Sequence, residues 1–391
     1  MKKAWQPHTV PVLLILALLA PVGISVAQAN GTEARLSMPA PETDDLKRKW
    51  AGDWRLGVGA FNFSEGKDDG TGGVMRLTGT FRYNLAPFLH FYFQPQVRFY
   101  SARVQTRYDE DMADSGIRIS NGYIGIGKEE TFGVKVGVLD QEPIRSDLLV
   151  SGRRAFPGVR ETLQVGTDRF RIIGTAQQSV PTSYSLNTRR VEREPTPTFL
   201  TETLEFKITP AKEFEAEVYA THFRFNHLPA VVAFDSALLG NSVLGESAAG
   251  SSFRYGFDGF LVGTELAVFQ TGPLDFRVGG QWLQNSSAPK ELNRGQLLFL
   301  QSTLRVNSDL EITPRFSSYF AESDVAPAAY NNWDMGNNNR KGLMAELRVR
   351  FPNYGFNVDA KYVQAETIND YAFQADKQYF FIGVEMDNVP F

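Results

Sequence analysis

Arginines recur at alternate positions in the first third of the chain: Arg76, Arg82 and Arg98 fall on period-2 segments, joined by Arg55, Arg118 and Lys135. A row of guanidinium groups pairs with carboxylates and phosphates through forked hydrogen bonds, and its summed field steers anions. Further along, Glu205, Glu213, Glu215 and Glu217 make a wall of the opposite sign. Neither set has the neighbours that covalent catalysis needs. Beyond the leader the histidines are His90, His222 and His227, and no spacing joins His222 to a Ser/Asp nucleophile set. His90 reads as a rim residue beside a tight turn. The chain has no cysteine and no clustered histidine, so a zinc site and a cofactor are not indicated. Asp109, Glu110, Asp111 and Asp114 offer calcium-type oxygens, with a solvated acidic loop tip as the other reading. The chemistry on offer is electrostatic, that of a protein that is not an enzyme.

The elements that must carry these charges are strands. From Leu89 to Phe99, odd positions are apolar and even positions polar or amphipathic, the alternation of a strand with one oily face and one wet face. The pattern predicts sixteen strands, the first eight over residues 54–63, 73–83, 88–103, 115–128, 131–139, 165–178, 182–193 and 198–209. The other eight cover 213–225, 255–270, 274–285, 295–306, 310–321, 341–351, 354–364 and 378–386. Most of these segments exceed the five or six residues usual in soluble sheets and suit a tilted strand crossing a bilayer. One face is nearly free of charge, as in Met75, Leu77, Gly79, Phe81 and Tyr83, and again in Leu343, Ala345, Leu347, Val349 and Phe351. A lipid-facing Lys or Arg costs about 2–4 kcal/mol at mid-bilayer, which accounts for that purity. Aromatic residues gather at segment ends (Trp54, Tyr83, Phe88, Phe99, Trp282, Tyr354). The competing reading, a secreted β-sandwich, explains neither the strand length nor the girdle.

Tight turns alternate with long connections. The short ones are 85–87, 129–130, 210–212, 271–273, 307–309 and 352–353; the long ones are 64–72, 105–114, 140–164, 226–254, 322–340 and 366–377. The fold class is therefore all-β, a transmembrane antiparallel β-barrel with short periplasmic turns, long extracellular loops and periplasmic termini. Register is consistent with this: a two-residue turn at 352–353 pairs Val349 with Phe356, and a three-residue turn at 210–212 pairs Ile208 with Phe214. The apolar stretch from Leu228 to Phe234 in the loop after the ninth strand packs over the barrel mouth or meets a partner.

Residues 1–29 read as a signal peptide: Lys2 and Lys3, an apolar run over 10–20, and Ala27-Gln28-Ala29 as the cleavage site. The run is shorter than the roughly 20 residues of a spanning helix. Residues 30–51 are a flexible periplasmic segment and 52–391 the barrel, including a loop at 140–164. Removing Lys2 and Lys3 from 40 basic residues leaves 38 against 44 acidic ones, which argues against nucleic acid as a partner. At sixteen strands a lumen is too wide for side chains alone to fill, so opposed basic and acidic walls imply a wet channel.

The run from Asn121 to Val138, with Tyr123-Ile124-Gly125 before a short turn and Phe132-Gly133 after it, resembles a motif of Gram-negative general porins. The resemblance implies a water-filled outer-membrane channel for small hydrophilic solutes or ions, embedded in lipid and lipopolysaccharide as a homotrimer. It also implies that the loop 140–164 folds inward as a constriction, with Asp140, Glu142 and Asp147 facing Arg76, Arg82 and Arg98. Here that loop also carries Arg145, Arg153, Arg154 and Arg160, so cation preference does not carry over. The step from Gly137 to Pro143 is similar to one in phosphate-type porins, and the arginines suit an anion route. Phe391 ends the chain out of phase with Phe380, Ile382, Val384 and Met386. The alternative function is a barrel sheath or adhesin that acts through partner proteins, for example by holding electron-transfer cytochromes.

Overall fold

The computed structural model describes residues 49–105, 115–128, 131–182, 194–270, 272–331 and 333–390. Sixteen antiparallel strands close into a barrel. The first half comprises β1 (Trp50–Glu65), β2 (Asp68–Ala86), β3 (Leu89–Gln105), β4 (Gly116–Lys128), β5 (Phe132–Asp140), β6 (Ala155–Thr167), β7 (Phe170–Ser179) and β8 (Thr198–Ala211). The second half comprises β9 (Phe214–Asn226), β10 (Phe257–Val268), β11 (Leu274–Asn285), β12 (Arg294–Asn307), β13 (Leu310–Ala321), β14 (Arg340–Phe351), β15 (Phe356–Thr367) and β16 (Lys377–Met386). Each strand pairs with the next, and β1 pairs with β16 from Gly57↔Glu385 to Glu65↔Lys377, so no sheet edge is left open. Closure satisfies every ladder internally, the condition for strands to cross hydrocarbon.

The alternation sorts the side chains as the sequence suggests. Met75, Leu77, Ile124, Val136, Leu300, Leu343, Ile382 and Val384 point outward and are exposed. The Trp50 and Tyr83 rings meet at a tilt of 41°, centroids 4.4 Å apart, at the end that holds both termini. The outer face is less pure on β6–β10, where Glu161, Glu202, His222, Arg224 and Asp258 face outward in register with apolar neighbours.

Several boundaries differ from the sequence expectation. The region 64–72 is ladder with a tight turn at 66–67, because Phe63 lays its ring over Gly70, where a Cβ would stand 2.3 Å from that ring. The strands expected at 165–178 and 182–193 are instead β6 and β7, joined by a turn at 168–169; positions 183–193 lie outside the described residues. The long connection after β5 is therefore 141–154 and not 140–164, and Asp140 ends β5. Val349 pairs with Val358 and Ile208 with Ala216, each two residues from the expected register. A slip of two preserves the faces, whereas a slip of one would exchange them. Gly355, at φ 66°, closes the longer turn after β14. Near the C-terminus, Val389 and Pro390 rejoin β1 at Trp54 and Asp53, one residue out of step with β16. Phe391 and the acids at 109–111 and 114 lie outside the described residues.

The interior holds a large apolar cluster. Leu148, Leu149, Val150, Phe156, Phe199, Phe223, Leu261 and Leu283 are buried together with Tyr330 and Met335. The apolar stretch after β9 forms a helix, α1 (Ala230–Leu238), whose Val231 and Val232 belong to this cluster. It packs over the mouth, the first of the two readings.

Candidate functional site: a charged lumen divided by one loop

The basic residues of the first strands lie on one face of the sheet. Arg55 lies opposite Thr78, Arg76 opposite both Gly57 and Arg98, and Arg118 opposite Gln96, so all four guanidinium groups share the inner face. Arg118 Nε donates to Gln96 Oε1 at 2.7 Å, and Arg82 Nε to Asn84 Oδ1 at 3.1 Å. Arg55 pairs with Glu385 at 3.4 Å. Lys135 sits 4.8 Å from the Tyr123 ring centroid. Arg98 lies over the Tyr100 ring, and among the described residues neither Arg76 nor Arg98 has a carboxylate at ion-pair distance. The Nε atoms of both are buried without a hydrogen-bond partner. Like charges so placed repel one another and attract an anion.

The acidic wall is spent on the protein itself. Arg145 leaves loop 141–154 and donates through Nη1 to Glu217 at 2.5 Å, while its Nη2 lies 3.1 Å from Glu205. Lys207 Nζ lies 2.6 Å from Glu215 and 3.0 Å from Glu217. Burial opposes the charge on Arg145, but Glu217 and Glu205 outweigh it and raise its pKa. Glu213, expected on the wall, sits instead in the exposed turn between β8 and β9.

The loop arginines and acids have separate roles. Arg154 donates to the Ala329 carbonyl, and Ser151 N donates to Tyr330 O at 2.9 Å, tying the loop to residues 322–339. Arg160 is an inner residue of β6, bonded to Gln177 Oε1 at 2.8 Å and 3.6 Å from Asp140. Asp140 also accepts from Asn121, so it braces strands and does not belong to the loop. Glu142 and Arg153 are the exposed charges of the loop. Glu142 has Asp140, Arg55, Arg160 and Asp147 around it; burial first and Asp140 second push its carboxyl up to about 7. Arg153 stands among Asp334, Asp147 and Glu346, and also reaches Arg76 electrostatically. Burial pushes Asp334 up, but Lys361 and Arg153 outweigh it and hold the carboxyl at about 2.

Sequence reasoning missed the ladder of ion pairs on the far wall. Arg277 pairs with Glu265, Arg305 with Asp275, Arg348 with Asp359 and Arg350 with Asp387, at 2.7 to 3.2 Å. The period-2 run Glu346, Arg348, Arg350 carried the signal. His90, expected at the rim, is buried edge-on to Tyr123 at 5.7 Å, while His222 faces outward, 2.9 Å from Asp258.

No family model and no curated protein sequence matches the chain. Among solved structures it is similar to the high-pH structure of Pseudomonas putida OprB (TM-score 0.58, 12% identity, 89% of this chain and 96% of that one). It is also similar to the low-pH structure of OprB (0.50, 9%, 89% and 95%). Salmonella typhi OmpF in complex with daunomycin aligns at TM-score 0.51 and 9% identity over 87% of this chain and 97% of that one. At such identities the likeness is one of fold, and the chain has the closed sixteen-strand barrel fold of Gram-negative outer-membrane porins.

Proposed function

We propose that the protein is an outer-membrane pore through which small hydrophilic solutes and ions diffuse, with a preference for anions. The observation that carries this reading is the imbalance of the two walls. Arg145 and Lys207 hold Glu205, Glu215 and Glu217 in ion pairs, two cations against three carboxylates, whereas among the described residues neither Arg76 nor Arg98 has a carboxylate at ion-pair distance. A fixed positive surface in a narrow wet passage raises the local concentration of anions and excludes cations. The protein acts as a channel and not as an enzyme. Residues 1–29 direct export, the termini face the periplasm, and the barrel sits in lipid and lipopolysaccharide as a homotrimer. The outward charges Arg224 and Asp258, 2.6 Å apart beside the extracellular rim, suit headgroups and not acyl chains.

Single-channel recording of the purified protein in planar bilayers tests this. Discrete open levels with a reversal potential displaced toward the anion equilibrium are expected in a salt gradient. A permanently closed barrel that co-purifies with other chains supports the sheath or adhesin instead.

A further inference from the structure

One sector of the outer face departs from the apolar pattern. Outward positions on β6 read Val159, Glu161, Leu163 and Val165, all exposed, so a carboxylate stands inside the apolar band. Glu161 lies six positions above Thr167, the periplasmic end of β6; six above Phe351, β14 carries Ala345. Among the described residues Glu161 has neither an ion pair nor a side-chain hydrogen bond. An acid at membrane depth is costly, and groups of this kind turn toward protein. Beside it lies a groove of about 540 Å³, lined by Gly174, Ala176 and Ala220 between Phe132, Leu163 and Leu204. The barrel itself does not demand Gly174: a Cβ there would meet nothing closer than the Leu163 carbonyl oxygen at 4.0 Å. A strand glycine free of that need suits close approach by another backbone. On the far flank, β9 supplies an imidazole and a guanidinium. His222 Nε2 and Arg224 Nη2 lie 2.9 and 2.6 Å from Asp258, and His222 Nδ1 lies 3.7 Å from Glu202.

We infer that the outer face of β6–β9 is where a second copy of this chain docks, with Glu161 of one copy set against the β9 flank of the next. The inference rests on the homotrimer within the proposed function and deepens it by naming the wall. Barrels exported by one route insert the same way up, so the symmetry axis between copies runs along the membrane normal. Around such an axis the flanks meet crosswise, and the β6 side of one copy faces the β9 side of its neighbour. The unpaired acid is on one flank and Arg224, with the imidazole of His222, on the other, so the face complements itself in charge. Gly174, Ala176 and Ala220 let two walls approach closely, as small residues do between membrane helices. Lipid does not fit: acyl chains offer Glu161 no donor, and the phosphates of lipopolysaccharide repel it. The same wall is stiffened from inside, where Arg145 and Lys207 hold Glu205 and Glu217.

The chain lacks cysteine, so thiols can be placed without background. In outer-membrane vesicles, Val159→Cys/Ala220→Cys treated with a short bismaleimide is expected to give covalent species larger than dimers on denaturing gels. Within one copy the two thiols are three strand spacings apart, about 14 Å, too far for the reagent to bridge. Leu298→Cys/Ile382→Cys, outward on β12 and β16, should stay monomeric. Adding Gly174→Leu to the first pair fills the groove with a side chain whose Cβ the barrel has room for. The cross-linked fraction should then fall about tenfold, with heat-modifiable gel mobility confirming the fold, and Glu161→Ala should lower it several-fold. Monomers alone from Val159→Cys/Ala220→Cys, or an equal ladder from Leu298→Cys/Ile382→Cys, overturn the docking face. A ladder that survives Gly174→Leu overturns it too. Barrels that cross-link as expected yet carry no current refute the pore reading and leave this interface standing.

Discussion

The arc β2–β4 and the arc β8–β9 face the same lumen, each with charged side chains on its inward face, yet they end in opposite states. On β8–β9 the carboxylates are buried and ion-paired: one loop arginine and one strand lysine hold the three groups Glu205, Glu215 and Glu217 within 3.1 Å. On β2–β4 the Nε atoms of Arg76 and Arg98 are buried without a hydrogen-bond partner, and among the described residues neither guanidinium group has a carboxylate at ion-pair distance. Charge count along the chain does not reveal this difference, because it depends on which wall the loop 141–154 lies against. The acidic arc contributes structure, and the basic arc contributes field.

The largest effect is expected from breaking the anchor. Arg145→Ala removes the guanidinium contacts of Glu217, 3% exposed, and of Glu205, while Lys207 still pairs with Glu217. Removing one member of a buried pair costs several kcal/mol, and because Arg145 is partly solvated and Lys207 remains, about 2 kcal/mol is the expected loss. Thermal unfolding in detergent, followed by the shift in gel mobility, measures it. Conductance should rise in the same variant as the loop loses its hold on the wall. A stable variant with unchanged conductance shows that apolar packing, and not this ion pair, seats the loop.

Removing the field comes next. The double change Arg76→Ala and Arg98→Ala deletes two charges that have no carboxylate at ion-pair distance among the described residues, and anion-to-cation permeability should fall several-fold, with Arg98→Ala alone giving roughly half of that shift in reversal potential. High salt should shrink the difference between wild type and variant, because screening at 1 M acts over about 3 Å. Reversal potentials that stay put in the double variant remove the basic wall as the source of preference.

The comparison also shows what the residues alone disclose. Long alternating runs such as those of β3 and β14 were legible because lipid on one side and water on the other enforce a strict period of two. The Arg55 to Lys135 wall followed from the same alternation. Legibility failed at β6, most of which was expected to be loop up to residue 164, although Val138↔Pro157 and Phe132↔Leu163 sit within one continuous ladder. Neighbouring strands supply the pairing that the local sequence does not advertise. It failed again at the loop. That Arg145 turns to Glu205 and Glu217 while Arg153 stays in water depends on contacts 60 or more residues away in sequence.

The smallest effect is the most specific. The Glu142 carboxyl is raised to about 7 by partial enclosure and by Asp140, with Arg55 and Arg160 pulling the other way. Above that pH the side chain is an anion in the passage and opposes the arginine field; below it the side chain is neutral and the field acts alone. Anion preference should therefore increase as pH falls from 8.5 to 5.5, by about twofold, with a midpoint near neutrality. Stability linked to this group runs in the same direction: between the ordinary glutamate value and about 7 the folded protein binds more protons than the unfolded chain, so folding is favoured as pH falls through that window. Glu142→Gln should fix permeability at its low-pH level across the range. A titration that persists in Glu142→Gln assigns the effect to another group in the lumen, whereas its disappearance shows that one carboxylate on the loop tunes a wall of arginines it never touches through a bond.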